Sequence, residues 1–551
     1  MNHYDSTCIT ATNSKISSPT SSPVRDERKT SKLFAIFRKY SWLVFALVFA
    51  WKVALFVTSV QPVPANDAYF YDGAVVHYLL HGGYYNPCVA QAFPVSGTQV
   101  FSAYPPGYQL PLLCWMKVFG VSAPSAMALH ITLFGAYLIV LLAIFRRLQV
   151  PAWCVNLAGG FLLTFTFHDR PDSFAHLLGV LAVYSCVRSR RALGCAQGES
   201  SALWAWLMAL FIVLAFCASL QIGGIYLLVV WIATFAACRM GKEPIPLVPL
   251  AVMALVPALL ALFVKLELPT AYAGFMENVH QTPFLTGLRK PHWQEVMKII
   301  RTIPGILVVT MMLAFSWFKR KEGIQSTLNN RYGMILTATL LPALGIMVAS
   351  LTIIAPNTVA ISNYLQPMIV AAYLGFCVSR QVEWNWLRLQ VVCLVPAILL
   401  GSVRAVGMTT WGLACAADVN YSAAVQRVDQ ELAHLPAQSK VVMSSAFLYA
   451  ASTHDDLNLI HSDWMTRAQG DSLVSDSQAL IALKPEKMIL TQYDYHRRMK
   501  AVLERVKNDP SLKDIQITNL AHTPPPDSIR PLQQVVQHVS WAPVIVNLEW
   551  R

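Results

Sequence analysis

Four aspartates in two short clusters, Asp67/Asp72 and Asp169/Asp172, are the residues in this chain best suited to chemistry. Each cluster adjoins an apolar run. A carboxylate at the edge of a membrane span is costly to place there and usually lines a water-filled cavity. Paired carboxylates can supply a general base, or oxygen ligands for a divalent cation such as magnesium or manganese. Ordinary alternatives stay open. Asn66 or Asp67 can cap a helix, because a short acceptor side chain satisfies the free N–H groups of the first turn. Asp169-Arg170-Pro171-Asp172 reads equally as a tight turn, with Asp172 capping the next helix and Arg170 pairing locally.

A third group is cationic. The segment from Lys265 to Arg301 holds Arg289, Lys290 and Lys298 besides its two ends, with His280 and His292 among them. Arginine grips a phosphate by bidentate hydrogen bonds and lysine acts on it as a point charge. Attraction to anionic lipid headgroups would use the same residues. Ser362-Asn363-Tyr364 adds a polar cluster between two apolar runs, where Asn363 and Tyr364 could meet a substrate or simply form a turn.

The elements that position these groups follow from composition. Apolar residues make up 55 % of the chain and charged residues 13 %. Several apolar runs reach the roughly 20 residues that a bilayer-spanning helix needs, so the chain reads as a polytopic α-helical membrane protein. The net charge of +13 does not indicate nucleic acid, because the basic residues fall in short loops between apolar runs. That is the positive-inside distribution. Residues 1–40 are rich in Ser, Thr and Asn and are expected to be a disordered cytoplasmic segment. Residues 41–405 form the membrane domain, with a first extracytoplasmic loop at 61–123. In that loop a short helix from Asn66 to Gly82 is expected to lie along the interface with its apolar face in lipid. Tyr108 to Val121 is expected to be a second interfacial stretch, interrupted by Lys117.

Further spans are expected over Ser125–Phe145, Pro151–Phe167, Phe174–Val187, Ala202–Leu220, Gly223–Ala237, Ile245–Val264, Ile303–Phe318, Met334–Ile354, Gln366–Val378 and Leu387–Val403. With the first, that makes about eleven. Residues 406–551 change character. Helical stretches at Tyr421–Leu435 and Tyr495–Val506 alternate with short apolar runs at Lys440–Met443 and Met488–Leu490, which predicts a small extracytoplasmic α/β domain. The cysteines form no metal-like cluster. Cys88 and Cys415 are candidates for the same side of the membrane, and no pairing need be assumed.

The order of motifs carries a resemblance. One span is followed by a long loop that opens with an acid at the start of a Tyr-bearing helix. Gly82-Gly83-Tyr84-Tyr85, Tyr104-Pro105-Pro106 and, after the third span, Arg170-Pro171-Asp172 come next. The chain resembles the lipid-linked-sugar glycosyltransferases of the GT-C fold, in particular the bacterial group similar to protein O-mannosyltransferases and the lipid A aminoarabinose transferase. The resemblance spans roughly residues 40 to 405 in architecture and the first half in motifs.

What the resemblance implies is an inverting glycosyltransferase. It would move a sugar from a polyprenyl-phosphate donor to a hydroxyl of a glycan, lipid or protein acceptor at the outer face of a bacterial inner or plasma membrane. The first-loop acid is the family's base, which falls on Asp67, and the second acidic position falls on Asp172 beside Arg170. Many members carry two adjacent acids where this chain has Asn66-Asp67, which weakens the case for a metal held between neighbouring carboxylates. The family's phosphate-holding cations have no motif to match in this chain; charge and topology alone put Arg289 and Lys290 in that role, with Asp72, Asp169, Arg170, Asn363 and Tyr364 as further substrate contacts. A transporter or flippase of lipid-linked glycans is the alternative, although no duplicated halves are visible. A polymerase or ligase with its large loop late in the chain fits the early acidic loop less well.

Overall fold

The computed structural model describes residues 42–43, 45–54, 56–57, 68–90, 92–147, 170–189, 201–241, 243–281, 418, 420–463, 465, 475–521 and 540–551. The expected N-terminal segment 1–40, the spans at 151–167 and from 303 onward to 403, and Cys415 lie outside these residues.

The first apolar helix, α1 (Phe45–Ala54), packs its buried Phe45 edge-on against Phe145 at 6.3 Å. Phe145 belongs to α5 (Ala123–Arg147), which Pro124 can open because its missing N–H falls where no intrahelical partner exists. Arg146 and Arg147 close α5 in its last turn, where cations suit the helix dipole. After the described break come α6 (Asp172–Ser189), α7 (Ser201–Ala218), α8 (Leu220–Gly241) and α9 (Leu247–Glu267). These five helices correspond to expected spans, with ends shifted by a few residues. Among the described helices, α5 and α9 have both the length and the apolar composition to cross a membrane. α9 leaves Leu255, Leu259, Leu262, Phe263 and Leu266 exposed, the surface a lipid-facing helix presents. A single non-helical residue, Ser219, joins α7 to α8.

Between α1 and α5 the first loop folds into α2 (Ala68–His81), α3 (Pro94–Thr98) and α4 (Gln109–Phe119). Gly82, at φ +83°, ends α2 in the left-handed region that glycine enters without a side-chain clash. α4 is amphipathic as expected. Leu112 and Met116 are buried, whereas Leu110, Val118 and Phe119 stand out. α2 departs from expectation. Its first nine residues, Ala68 to Val76, are all buried, so the helix is enclosed by protein on every side over two turns and does not lay an apolar face in lipid. The reason is long-range packing that sequence spacing does not report.

That packing comes from the C-terminal part. Tyr421–Leu432 forms α11, Ser445–Ala451 α12, Asp476–Leu483 α13 and Lys500–Val506 α14. The strands are β1 (Lys440–Met443), β2 (Asn458–His461), β3 (Lys487–Leu490), β4 (Leu512–Asn519) and β5 (Val544–Trp550). They form one sheet in the order β2-β1-β3-β5-β4, with β1 parallel to β2 and β3, and β5 antiparallel to β3 and β4. Side chains alternate across a strand. Val442, Met488 and Leu490 therefore pack with α13 and α14 on one face. Val441, Met443 and Ile489 point to the other face, into a core shared with α11, α12 and the first loop.

A helix the sequence did not announce, α10 (Pro269–Gln281), lies within the cationic segment. Its Glu277 accepts from the backbone N–H groups of Val95 and Ser96, both at 3.2 Å, and so satisfies the start of α3. Asn278 donates to Ala103 O at 2.6 Å. α10 thereby fastens the first loop to the helix bundle.

Candidate active site

The bend Tyr104-Pro105-Pro106-Gly107 carries one of the site's tyrosines and leads directly into another, Tyr108, and its glycine has a structural cause. Gly107 N donates to Cys217 O at 2.7 Å, and a Cβ on Gly107 would sit 2.4 Å from that same oxygen. Only glycine lets the bend close onto the end of α7. This contact sets Tyr104 beside Ser219, with their hydroxyls 3.0 Å apart.

Both hydroxyls turn to Asp172, the first residue of α6. Ser219 Oγ donates to Asp172 Oδ1 at 3.0 Å and Tyr104 Oη at 3.4 Å. Arg170 Nε donates to the other oxygen, Oδ2, at 2.9 Å, and Nη2 reaches Tyr71 Oη on α2 at 3.2 Å. The Arg170 guanidinium also lies 5.4 Å from the centre of the Tyr71 ring. The local pairing that the Arg-Pro-Asp spacing allowed is thus present, and it is buried, with side chains 10 % and 3 % exposed.

The neighbouring acid is one residue along α2 from Tyr71. Asp72 is fully buried. Its Oδ2 accepts from the hydroxyl of Tyr449 on α12, and its Oδ1 makes no hydrogen bond among the described residues. Burial pushes the carboxyl up from 3.8 to about 7, while the Tyr449 and Tyr108 hydroxyls pull it the other way. Burial dominates, and among the described residues its hydrogen-bond partners are hydroxyls rather than a cation.

Tyr108 continues inward. Its hydroxyl is 2.7 Å from His130 Nε2, and His130 Nδ1 is 2.7 Å from Ser173 Oγ. Ser173 in turn donates to Arg170 O at 3.0 Å. The imidazole thus bridges the Tyr108 and Ser173 hydroxyls through its two ring nitrogens. A hydrogen-bonded line therefore runs from beside Asp72 on the first loop to the turn that carries Arg170 and Asp172.

The structure brings together Asp72, Arg170 and Asp172 of the expected residues. Asp67, Asp169, Arg289, Lys290, Asn363 and Tyr364 lie outside the described residues; Asp67 directly precedes α2. Tyr71, Tyr104, Tyr108, His130, Ser173, Ser219 and Tyr449 complete the network; of these the sequence marked Tyr104 alone, as part of the Tyr-Pro-Pro motif and without a role in the site. For His130 there was a signal, since an ionisable residue inside an apolar span points to function by default. As donors for a divalent cation the described residues fit poorly. Asp172 is taken up by a guanidinium and two hydroxyls, and no group of three His, Cys, Asp or Glu with metal-binding proximity occurs among the described residues.

No protein-family model matches the sequence, and no curated protein matches it. Among solved structures, ArnT from Cupriavidus metallidurans bound to undecaprenyl phosphate is similar at a TM-score of 0.52 and 11 % identity, over 94 % of this chain and 98 % of that one. The chain has a GT-C fold. This agrees with the resemblance read from motif order and carries with it a polytopic membrane architecture. The archaeal oligosaccharyltransferase AglB from Archaeoglobus fulgidus, in complex with an inhibitory peptide and a dolichol-phosphate, also aligns. It does so at a TM-score of 0.46 and 11 % identity, over 86 % of this chain and 72 % of that one.

Proposed function

We propose that this GT-C protein transfers a sugar from a polyprenyl-phosphate carrier to an acceptor hydroxyl on the extracytoplasmic side, with inversion at the anomeric carbon. The observation that carries the reading is a fold matching, over nearly its whole length, a protein bound to undecaprenyl phosphate. Polar groups of the first loop and of the α6 start converge in support of it. Asp67, placed just ahead of α2, takes the proton of the attacking hydroxyl. The lipid phosphate leaves from the opposite side of the sugar, its charge met by Arg289 and Lys290 of the cationic segment. Such preorganised charge stabilises the leaving group without reorganisation cost. Asp172, held by Arg170, Ser219 and Tyr104, orients the sugar or acceptor at the rim.

The test is transfer from radiolabelled polyprenyl-phosphate sugars by purified protein. Wild type should transfer label to acceptor. Asp67→Asn keeps a capping acceptor but cannot take a proton, and should lose roughly 10²–10⁴-fold in turnover, the usual contribution of a positioned base. Turnover within a few-fold of wild type would remove Asp67 from the mechanism.

A further inference from the structure

At the end of the bundle far from these acids, α5 and α6 line an open cleft of about 550 Å³. Its lining is Ile139, Leu142, Ala143, Arg146, Arg147 and Tyr184. The volume falls in the roughly 300–1,000 Å³ range of small-molecule pockets. Its walls are graded along α5. From Ile139 to Arg147 is about 12 Å at 1.5 Å per residue, apolar at the start and cationic at the end. Ile139 is 70 % exposed, so the apolar end opens to the lipid side of the bundle. At the cationic end, Arg188 stacks over Tyr184 at 5.9 Å and over Trp204 of α7 at 4.9 Å. Three arginines and two aromatic rings thus gather at one level, the composition of a membrane–water boundary. Asp172 opens α6 and Arg188 lies near its far end, about 24 Å away along the helix, so this is a different place from the acidic site.

An apolar slot ending in guanidinium groups is complementary to an amphiphile with an acyl chain and an anionic phosphate. Arginine suits the phosphate through paired N–H donors, and the slot suits the chain. Basic residues near a membrane surface attract anionic lipids in general. A cleft of this volume with guanidinium groups at one end adds a defined place for one molecule. We propose that the α5–α6 crevice binds a single anionic phospholipid, its phosphate on Arg146 and Arg147 and its acyl chain along Ile139, Leu142 and Ala143.

Native mass spectrometry of the full chain, titrated with phosphatidylglycerol and separately with phosphatidylcholine, tests this. Wild type should hold one phosphatidylglycerol more tightly than phosphatidylcholine. The R146A/R147A double variant should lose about tenfold or more in that affinity, the scale of a lost charge-assisted hydrogen bond. Leu142→Trp keeps both arginines but fills the slot, and should weaken the same lipid comparably; general surface attraction would not respond to it. Inorganic phosphate at millimolar concentration should fail to displace the lipid. Equal lipid affinity in wild type and both variants, or full displacement by inorganic phosphate, would overturn the proposal.

Discussion

Asp72 on α2 and Asp172 at the start of α6 are equally closed to water, yet their surroundings differ. Asp172 has a guanidinium on one oxygen and two hydroxyls on the other. Asp72 has hydroxyls for partners and an oxygen without a hydrogen bond among the described residues. Burying a carboxylate costs free energy unless a cation or several donors replace its hydration, and otherwise the group takes up a proton instead. Asp172 is arranged as half of an ion pair. Asp72 sits near 7, able to give or take a proton at neutral pH. The two are joined through Tyr108, His130 and Ser173, so an ion-paired carboxyl and one partnered by hydroxyls share one scaffold.

The contrast breaks most visibly at the cation. Arg170→Ala leaves Asp172 buried without its counter-charge, and breaking a buried pair from one side costs about 3–5 kcal/mol. A large fall in melting temperature in detergent is expected, with partial recovery in Arg170→Lys, which restores charge without the fork geometry. A fall no greater than that of an ordinary surface substitution would mean that Asp172 does not depend on Arg170.

The other acid is sharpened by pH. Asp72 titrates near 7 when folded and near 3.8 when unfolded, so between these values the folded state binds the extra proton. Stability then falls as pH rises through this window and levels off above 7. The full span is roughly 4 kcal/mol, at 1.36 kcal/mol per unit. Asp72→Asn keeps an acceptor for Tyr449 and removes the titration. The variant should match wild type below about pH 4 and become progressively the more stable of the two as pH rises to 8. A stability difference that stays constant from pH 5 to 8 would show that Asp72 is not the group responsible.

How far the two acids were readable from sequence follows from how far apart their partners lie. Arg170 and Asp172 are two residues apart across a proline turn, so local spacing was enough to suggest their pairing. Asp72 depends on Tyr449, which is 377 residues away. No periodicity reports a contact of that separation, and the enclosure of α2 was missed for the same reason. The helices α5 to α9 were legible because a bilayer imposes length and apolarity. The strands β1 and β3 were legible as short apolar runs between turn residues. His130 was legible as an ionisable residue inside an apolar run, though its partners were not, and Ser219, at a helix junction, has no neighbour in sequence that marks it.

The finest test of the comparison is Tyr449→Phe, which removes one hydroxyl from across the interface between α12 and α2. The ring should keep its place, since it packs edge-on to Tyr69 at 5.2 Å and belongs to the shared core. What is lost is a single hydrogen bond to Asp72. A bond to a neutral group is worth about 0.5–1.5 kcal/mol, and one to an ionised group about 1.5–3 kcal/mol. The Tyr449 bond lowers the carboxyl's pKa, so it favours the charged form, and removing it lets the carboxyl rise further. The loss should therefore be small near pH 5 and grow towards pH 8. In the Asp72→Asn background that growth should vanish, because nothing at the contact titrates. A double-mutant cycle at both pH values isolates the term. If the Tyr449→Phe loss is the same at pH 5 and pH 8, the hydroxyl does not read the charge on Asp72, and the two acids differ less than their surroundings suggest.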